Sequence, residues 1–495
     1  MPNHVAYSAL LDHLKRIEAL SQAAGILSWD QETMMPPGGG EARAEQLGAL
    51  EASLHGLKTD PRLGDWIAAI GPDSPGPAGQ ANVRKARRMF DRATRIPVDL
   101  AEEIARAAAQ GQQIWAQARE ANRFADFAAI LKTIVGLRRA EAECLTDGGE
   151  LYDALLDDYE PGMTVAVLAP LLESMRPRLT ELRAAIDAAG PPPARLTGAF
   201  GHEEQLALAR VIGGRFGYDW QRGRLDLSTH PFSSGTLDDV RITTRVFDDD
   251  PLGCIYSTIH EVGHALYEQG LPRDGAFAPA GRSVSMGVHE SQSRLMENQI
   301  GRSRAFCDWL YPEMTAIFGD IGVSGPGELY AAVNRVETGF IRTEADEVHY
   351  NLHILLRLEI ERDLIAGALD VADIEEVWNT RFERDFGRAV PDARNGVLQD
   401  VHWSVGLFGY FPTYALGNIF AGCLHARMRA DLPDLDDHLA RGDLSPAGNW
   451  LHGRIHGKGS VLEPMDLVAE AAGGAVSAEP LLGYLEAKFT GLYGL

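Results

Sequence analysis

The five residues His260-Glu261-Val262-Gly263-His264 constrain this chain more than any other stretch. Two histidines four apart on a helix lie on one face about one turn from each other, so both imidazoles reach a single ion. The glutamate after the first then stands beside the remaining coordination position and takes a proton from water there. Chance alone supplies on the order of 0.03 such patterns in a chain of this length. The flanks sharpen the reading: Ile259, Val262, Gly263, Ala265 and Leu266 are uncharged, as a helix buried behind a metal site requires. The alternative is a pair of surface histidines on an amphipathic helix, and a third ligand decides between the two.

A tetrahedral catalytic site takes that ligand from another segment and leaves its fourth position to water. The metzincin continuation fails, because Tyr267 stands where glycine is required and no third histidine follows. Ser283 and Val284 occupy the positions where short-spaced relatives place a glutamate. Glu268 belongs to the first helix and cannot close the tetrahedron from the other side. Glu290, in Val288-His289-Glu290-Ser291-Gln292-Ser293-Arg294 at the start of a second helix, is the third ligand of choice.

The 495 residues could hold two or three average domains or one continuous helical body. Hydrophobic residues at 45% are enough for a substantial core. A net charge of −24 argues against nucleic acid or an anionic membrane as partner and suits a cytoplasmic enzyme. No leader pattern opens the chain, and no run approaches a membrane span. Cys144, Cys254, Cys307 and Cys423 are scattered without paired spacing, which reads as reduced thiols.

Apolar residues recur at helical spacing from Tyr7 to Ser28, and Met35 to Gly40 stops that helix. Glu41 to Leu54 predicts another helix, and Gly71 to Pro77 is a second break. Residues 1–80 are therefore expected to form a helical hairpin or lid over a continuous catalytic body, 81–495. Val98 to Ala140 predicts two helices, and Pro191-Pro192-Pro193 marks a loop. Strand signals cluster before the metal motif: Arg224 to Ser228, Val240 to Val246, and a third short candidate at Arg282 to Met286. After Glu290 helices return, at Ser291 to Ile300, Gly327 to Val336, Ala345 to Leu364, Val371 to Phe386 and Thr413 to Met428. The expected fold class is mostly α, with a small antiparallel sheet beside the metal helix.

These stretches resemble one family, the Taq-type thermostable carboxypeptidases. Its motifs stand in order: His230-Pro231-Phe232, Asp239-Val240-Arg241-Ile242-Thr243, the metal helix, His289-Glu290-Ser291-Gln292, Ile341 to Asp346, and Gly396 to Trp403. Trp29-Asp30, Tyr159-Glu160-Pro161-Gly162 and Phe408 to Tyr414 match as well. The resemblance implies a metal-dependent carboxypeptidase that removes single residues from peptide C-termini. It further implies a large helical body with a deep substrate groove, related in shape to neurolysin and angiotensin-converting enzyme, and a homodimer. The ion implied is Zn²⁺, with Co²⁺ as a substitute. It carries over the ligands His260, His264 and Glu290 and the base Glu261, the set already reached from the residues.

Oxyanion donors are expected opposite the metal helix, and by likeness to the neurolysin-type site His402 and Tyr410 fill that role, with Tyr414 in reserve. A terminal carboxylate calls for an arginine. Arg342 is the first candidate and Arg241 the second, though Arg241 could simply pair with Asp239. His349 and His353 are also four apart, but no glutamate follows His349, and a structural role is expected of both. His289 is expected behind the metal ligands. Two other functions stay open. One is an endo-oligopeptidase or dipeptidyl carboxypeptidase of the same fold; the other is a peptide-binding protein with a structural metal, which would have no use for Glu261.

Overall fold

The periodicity that starts at Tyr7 becomes α1 (Asn3–Thr33), and the Pro-Gly-rich stop after it leads into α2 (Gly40–Lys58). Two further helices follow, α3 (Pro61–Ile70), with Asp60 as its N-cap, and α4 (Gly76–Arg95). The computed structural model describes residues 3–71 and 75–495; the middle of the break read from Gly71 to Pro77 lies outside the described residues. Ala6, Leu10, Leu14 and Ile17 of α1 pack with Leu54, Leu63, Ile67, Ile70, Val83 and Ala86 into a small core of their own. That core runs past residue 80 into α4. A second, much larger core fills the rest of the chain.

The N-terminal helices meet the body through several ion pairs, a buried amide bond from Ala280 N–H to Asn82 Oδ1 (2.8 Å) and one stacked ring. Arg84, Arg88, Arg92 and Arg95 recur at about one per turn of α4 and engage Glu463, Asp157, Asp158 and Asp147 respectively. On α1, the Trp29 ring lies under the guanidinium groups of Arg224 and Arg241, at 5.0 and 4.2 Å.

The sheet has three strands in the order β1-β3-β2: β1 (Gly223–Leu227), β2 (Ser233–Thr236) and β3 (Asp239–Thr244). The sheet differs in two ways from the antiparallel one expected from the sequence. The sheet is mixed, because β1 pairs parallel with β3 and only β2 pairs antiparallel. Residues 228–232 carry the chain across the end of β3, tied there by the Thr243 hydroxyl, which bonds Ser228 Oγ (2.7 Å) and accepts Phe232 N–H (2.8 Å). The third strand is thus Ser233–Thr236 and not Arg282 to Met286. That segment instead runs into a helix cap: Ser285 Oγ accepts Val288 N–H and starts the helix Met286–Arg294.

The motif lies on the helix Pro251–Gln269, whose N-cap Asp250 accepts Leu252 N–H. Cys254, Ile255, Ile259, Val262 and Ala265 are fully buried along it. Helices Glu347–Ala366 and Pro412–Asp431 complete the surround. Among the described residues no helix is long and apolar enough to cross a membrane.

One buried carboxyl holds the start of the ligand-bearing helix. Glu160 accepts Gly287 N–H (2.9 Å) and the Ser285 hydroxyl (3.0 Å), and a Cβ at Gly287 would stand 2.6 Å from its Oε2. Burial pushes Glu160 up to about 8 from its ordinary 4.5. Between those values the folded chain holds a proton that the unfolded chain releases. This group therefore favours folding at low pH, and that contribution fades as pH rises towards 8. Glu160→Gln keeps an acceptor without the charge. Scanning calorimetry is expected to move Tm in the variant's favour, relative to wild type, by of order a few degrees between about pH 5 and about pH 8. A Tm difference that does not change with pH would contradict this role.

Candidate metal centre

Three helices converge where side chains are smallest. A Cβ at Gly263, inside the motif, would stand 2.4 Å from Ser293 Cα and 2.8 Å from Gln292 O. A Cβ at Gly417, on Pro412–Asp431, would stand 2.4 Å from Glu290 Cγ. The first contact is with backbone and the second with the Glu290 side chain, so the two glycines let Glu290 lie close to the histidines. The result is a cluster in which ligand atoms of His260, His264 and Glu290 all lie within 4.8 Å of one another. Glu290 Oε2 is 3.8 Å from His260 Nε2 and 3.5 Å from His264 Nε2. Two imidazole nitrogens and one carboxylate oxygen facing a common centre are the donor set of a divalent transition-metal ion, so the residues fit one.

Each ligand is held from behind. The other Glu290 oxygen accepts Arg294 Nε at 2.6 Å, and Arg294 lies over the Tyr350 ring at 4.3 Å. Burial alone would raise Glu290, but the charges of Arg294 and His260 hold it well below the usual carboxylate range. His260 Nδ1 meets Glu297 Oε2 at 2.9 Å. Burial opposes charge on Glu297 too; the His260 hydrogen bond, Arg294 and Arg302 bring it down to about 2. Glu297 reaches this place because the ligand helix loosens into a π-helical turn, Leu295–Ile300. His264 Nδ1 meets His289 Nδ1 at 2.7 Å, and His289 Nε2 meets Glu268 Oε1 at 3.0 Å. Burial keeps His264 neutral, with its pKa lowered to about 4.

Glu261 is next to His260, buried to 6% exposure. Burial pushes its carboxyl up to about 7, with the His260 charge opposing. Such a group both accepts and returns a proton near neutrality.

His402, Tyr410 and Tyr414 form one cluster. His402 Nε2 is 3.3 Å from the Tyr414 hydroxyl, and the Tyr410 ring is 5.6 Å from His402 and 5.4 Å from Tyr414. Burial, then the nearby Glu290 charge, pushes the Tyr410 hydroxyl up to about 12, so it remains a donor. Burial lowers His402 to about 4.

The two arginines are placed differently. Arg342 is buried and gives Nε (3.0 Å) and Nη2 (2.9 Å) to Asp400 Oδ1 and Nη1 (3.0 Å) to the Tyr350 hydroxyl, with Tyr414 under its guanidinium at 4.9 Å. Asp400 Oδ2 takes Arg357 at 2.5 Å, so one carboxylate serves two guanidinium groups. Arg241 stands apart on β3, bidentate to Asp239 at 2.8 Å through both contacts and stacked on Trp29. His349 bonds Asp346 and Thr338, and His353 packs on Phe386 at 4.5 Å; both serve the core.

Sequence reasoning missed Arg294, Glu297 and the role of Glu268. Arg294 could have been found one turn after Glu290, and Glu297 as a lone acid in an otherwise uncharged Leu295–Ile300.

A helical body around two histidines, a glutamate whose oxygen faces both and a second, buried glutamate is the arrangement a metallopeptidase requires. The model of the carboxypeptidase Taq (M32) metallopeptidase family matches residues 9–489. The chain is 42% identical to thermostable carboxypeptidase 1 of Thermus thermophilus over 510 residues, covering all of both chains. It is 34% identical to carboxypeptidase 1 of Bacillus subtilis over 503 residues, again covering both fully. The M32 carboxypeptidase of Deinococcus radiodurans superposes with a TM-score of 0.94 at 37% identity, covering 99% of this chain and all of that one. This chain belongs to the carboxypeptidase Taq (M32) family, and it is a metallocarboxypeptidase.

Gly263→Ala is expected to cost about 1–3 kcal/mol, since a Cβ there must displace backbone. Gly136→Ala, on an exposed helix face with nothing within 4 Å, is expected to gain up to about 1 kcal/mol. Urea unfolding of both variants checks the pair, and equal effects would contradict the packing constraint.

Proposed function

We propose that this protein removes single residues from the C-termini of peptides, with Zn²⁺ (Co²⁺ substituting) held by His260, His264 and Glu290. The observation that carries the reading is the convergence of those three ligand atoms beside a buried glutamate with a pKa near neutrality. A bound divalent ion supplies Lewis-acid polarisation of the scissile carbonyl and makes water a nucleophile at neutral pH. Glu261 takes the proton of the attacking water and delivers it to the leaving amine. Tyr410 and His402 donate to the oxygen on which charge develops, and Tyr414 positions His402.

Arg342 receives the terminal carboxylate. Asp400 cancels only one of the two charges of Arg342 and Arg357, so this wall keeps one net positive charge in a protein of net −24. Arg241, the second candidate, is drawn towards Asp239 and Trp29 and ties the sheet to α1. A second reading, internal cleavage or dipeptide release, draws on the same geometry, because Asp400 and Tyr350 already occupy Arg342. The acidic charge and the four free cysteines support a cytoplasmic setting, and family resemblance supports a homodimer.

The test is mass spectrometry of one peptide as free acid and as C-terminal amide, with and without chelator. A ladder of single-residue losses from the free acid, abolished by chelator, is expected. Efficient cutting of the amide would establish internal cleavage instead, and losses from the free acid in steps of two residues would establish dipeptide release. Glu261→Gln is expected to abolish turnover and keep its metal, because it removes the base and no ligand. Arg342→Ala is expected to lower kcat/KM for the free acid by about 30- to 1000-fold, equivalent to roughly 2–4 kcal/mol, and to change the amide little. Equal losses on the two substrates would move the clamp elsewhere.

A further inference from the structure

The two histidines of the metal motif are supported in unlike ways. His260 leans directly on a carboxylate, Glu297, at 2.9 Å. His264 has no acid beside its Nδ1; it has a second imidazole, His289, at 2.7 Å. Behind His289 stands Glu268, at 3.0 Å from Nε2, 6% exposed and carried by the motif helix itself. Tyr267 packs on the His289 ring at 5.1 Å, which fixes its plane.

Donor and acceptor roles run one way along this row. A carboxylate only accepts, so His289 donates from Nε2 and presents a lone pair at Nδ1. His264 must then donate from its own Nδ1, which leaves its Nε2 lone pair to the Ser293 hydroxyl at 3.1 Å and facing Glu290 Oε2 at 3.5 Å. Reversing any one bond would put a hydrogen on the His264 nitrogen that faces the ligand centre.

We propose that His289 and Glu268 are a positioning pair that sets the tautomer and ring orientation of His264, doing through two residues what Glu297 does for His260 through one. Glu268 thus acts on the metal centre from outside the ligand set. The inference rests on the metal-centre reading, and the outcomes below separate the two.

The experiment measures Zn²⁺ affinity by chelator competition on the full chain, together with the visible spectrum of the Co²⁺ form. Five proteins are compared: wild type, His289→Phe, His289→Asn, Glu268→Gln and the double variant His289→Asn with Glu268→Gln. His289→Phe keeps a ring on Tyr267 but no acceptor, and is expected to weaken Zn²⁺ binding about 10- to 100-fold and alter the Co²⁺ spectrum. His289→Asn places an amide oxygen near the former Nδ1, and is expected to recover most of the affinity with a spectrum close to wild type. Glu268→Gln is expected to weaken binding in the wild-type background and to add nothing in the His289→Asn background, where the row is already cut. A purely structural role would give no such rescue and no such non-additivity. Wild type without Zn²⁺ affinity would sink the metal centre itself. Tight binding by wild type with unchanged affinity and spectrum in His289→Phe would sink the positioning pair alone.

Discussion

The structure depends on how closely three helices approach one another at Gly263, Gly287 and Gly417. A methyl group at any of these positions would overlap backbone or a buried glutamate side chain: Ser293 Cα, Glu160 Oε2 and Glu290 Cγ, respectively. Only with hydrogen there can the motif helix, the ligand helix and Pro412–Asp431 bring His260, His264 and Glu290 within one ion's reach. A close-packed interior yields little to such overlap, so the glycines transmit their constraint directly to the ligand geometry.

That approach buries an unusual density of charge. Glu290, Glu297, Arg294 and Arg302 share one region, with Glu268 and His289 on the far side of His264. Desolvating such groups is costly, and it is offset only because each carboxylate meets a guanidinium or an imidazole at hydrogen-bonding distance. Glu261 is the exception. Burial, with the His260 charge opposing, pushes its carboxyl up to about 7, while Glu268 and Glu297 are held at about 2. Neighbouring acids in one cluster are thus shifted in opposite directions according to their partners.

How far the sequence spoke depends on whether a feature is local. The histidine spacing is a property of one helix, so His260 and His264 were legible at once, and Glu290 followed by eliminating Glu268 and the positions at Ser283 and Val284. The helices were legible for the same reason, from α1 to Pro412–Asp431. The supporting acids were not: Glu297 reaches His260 through a π-helical turn that no periodicity announces, and Glu268 works through His289 from another segment. The parallel pairing of β1 with β3 joins strands that are not consecutive in the chain, and the Thr243 hydroxyl bonds the loop between β1 and β2, both tertiary events. Arginine partners are equally non-local. Nothing in the Ile341 to Asp346 stretch tells that Arg342 shares Asp400 with Arg357.

The central claim is that one divalent ion sits between His260, His264 and Glu290. Anomalous diffraction at the zinc edge, on crystals grown with Zn²⁺, tests it most directly. A single strong peak is expected within coordination distance of Nε2 of both histidines and Oε2 of Glu290, with Glu261 beside it and unbound. A peak at His349 and His353, or one coordinated by Glu268 in place of Glu290, would contradict it.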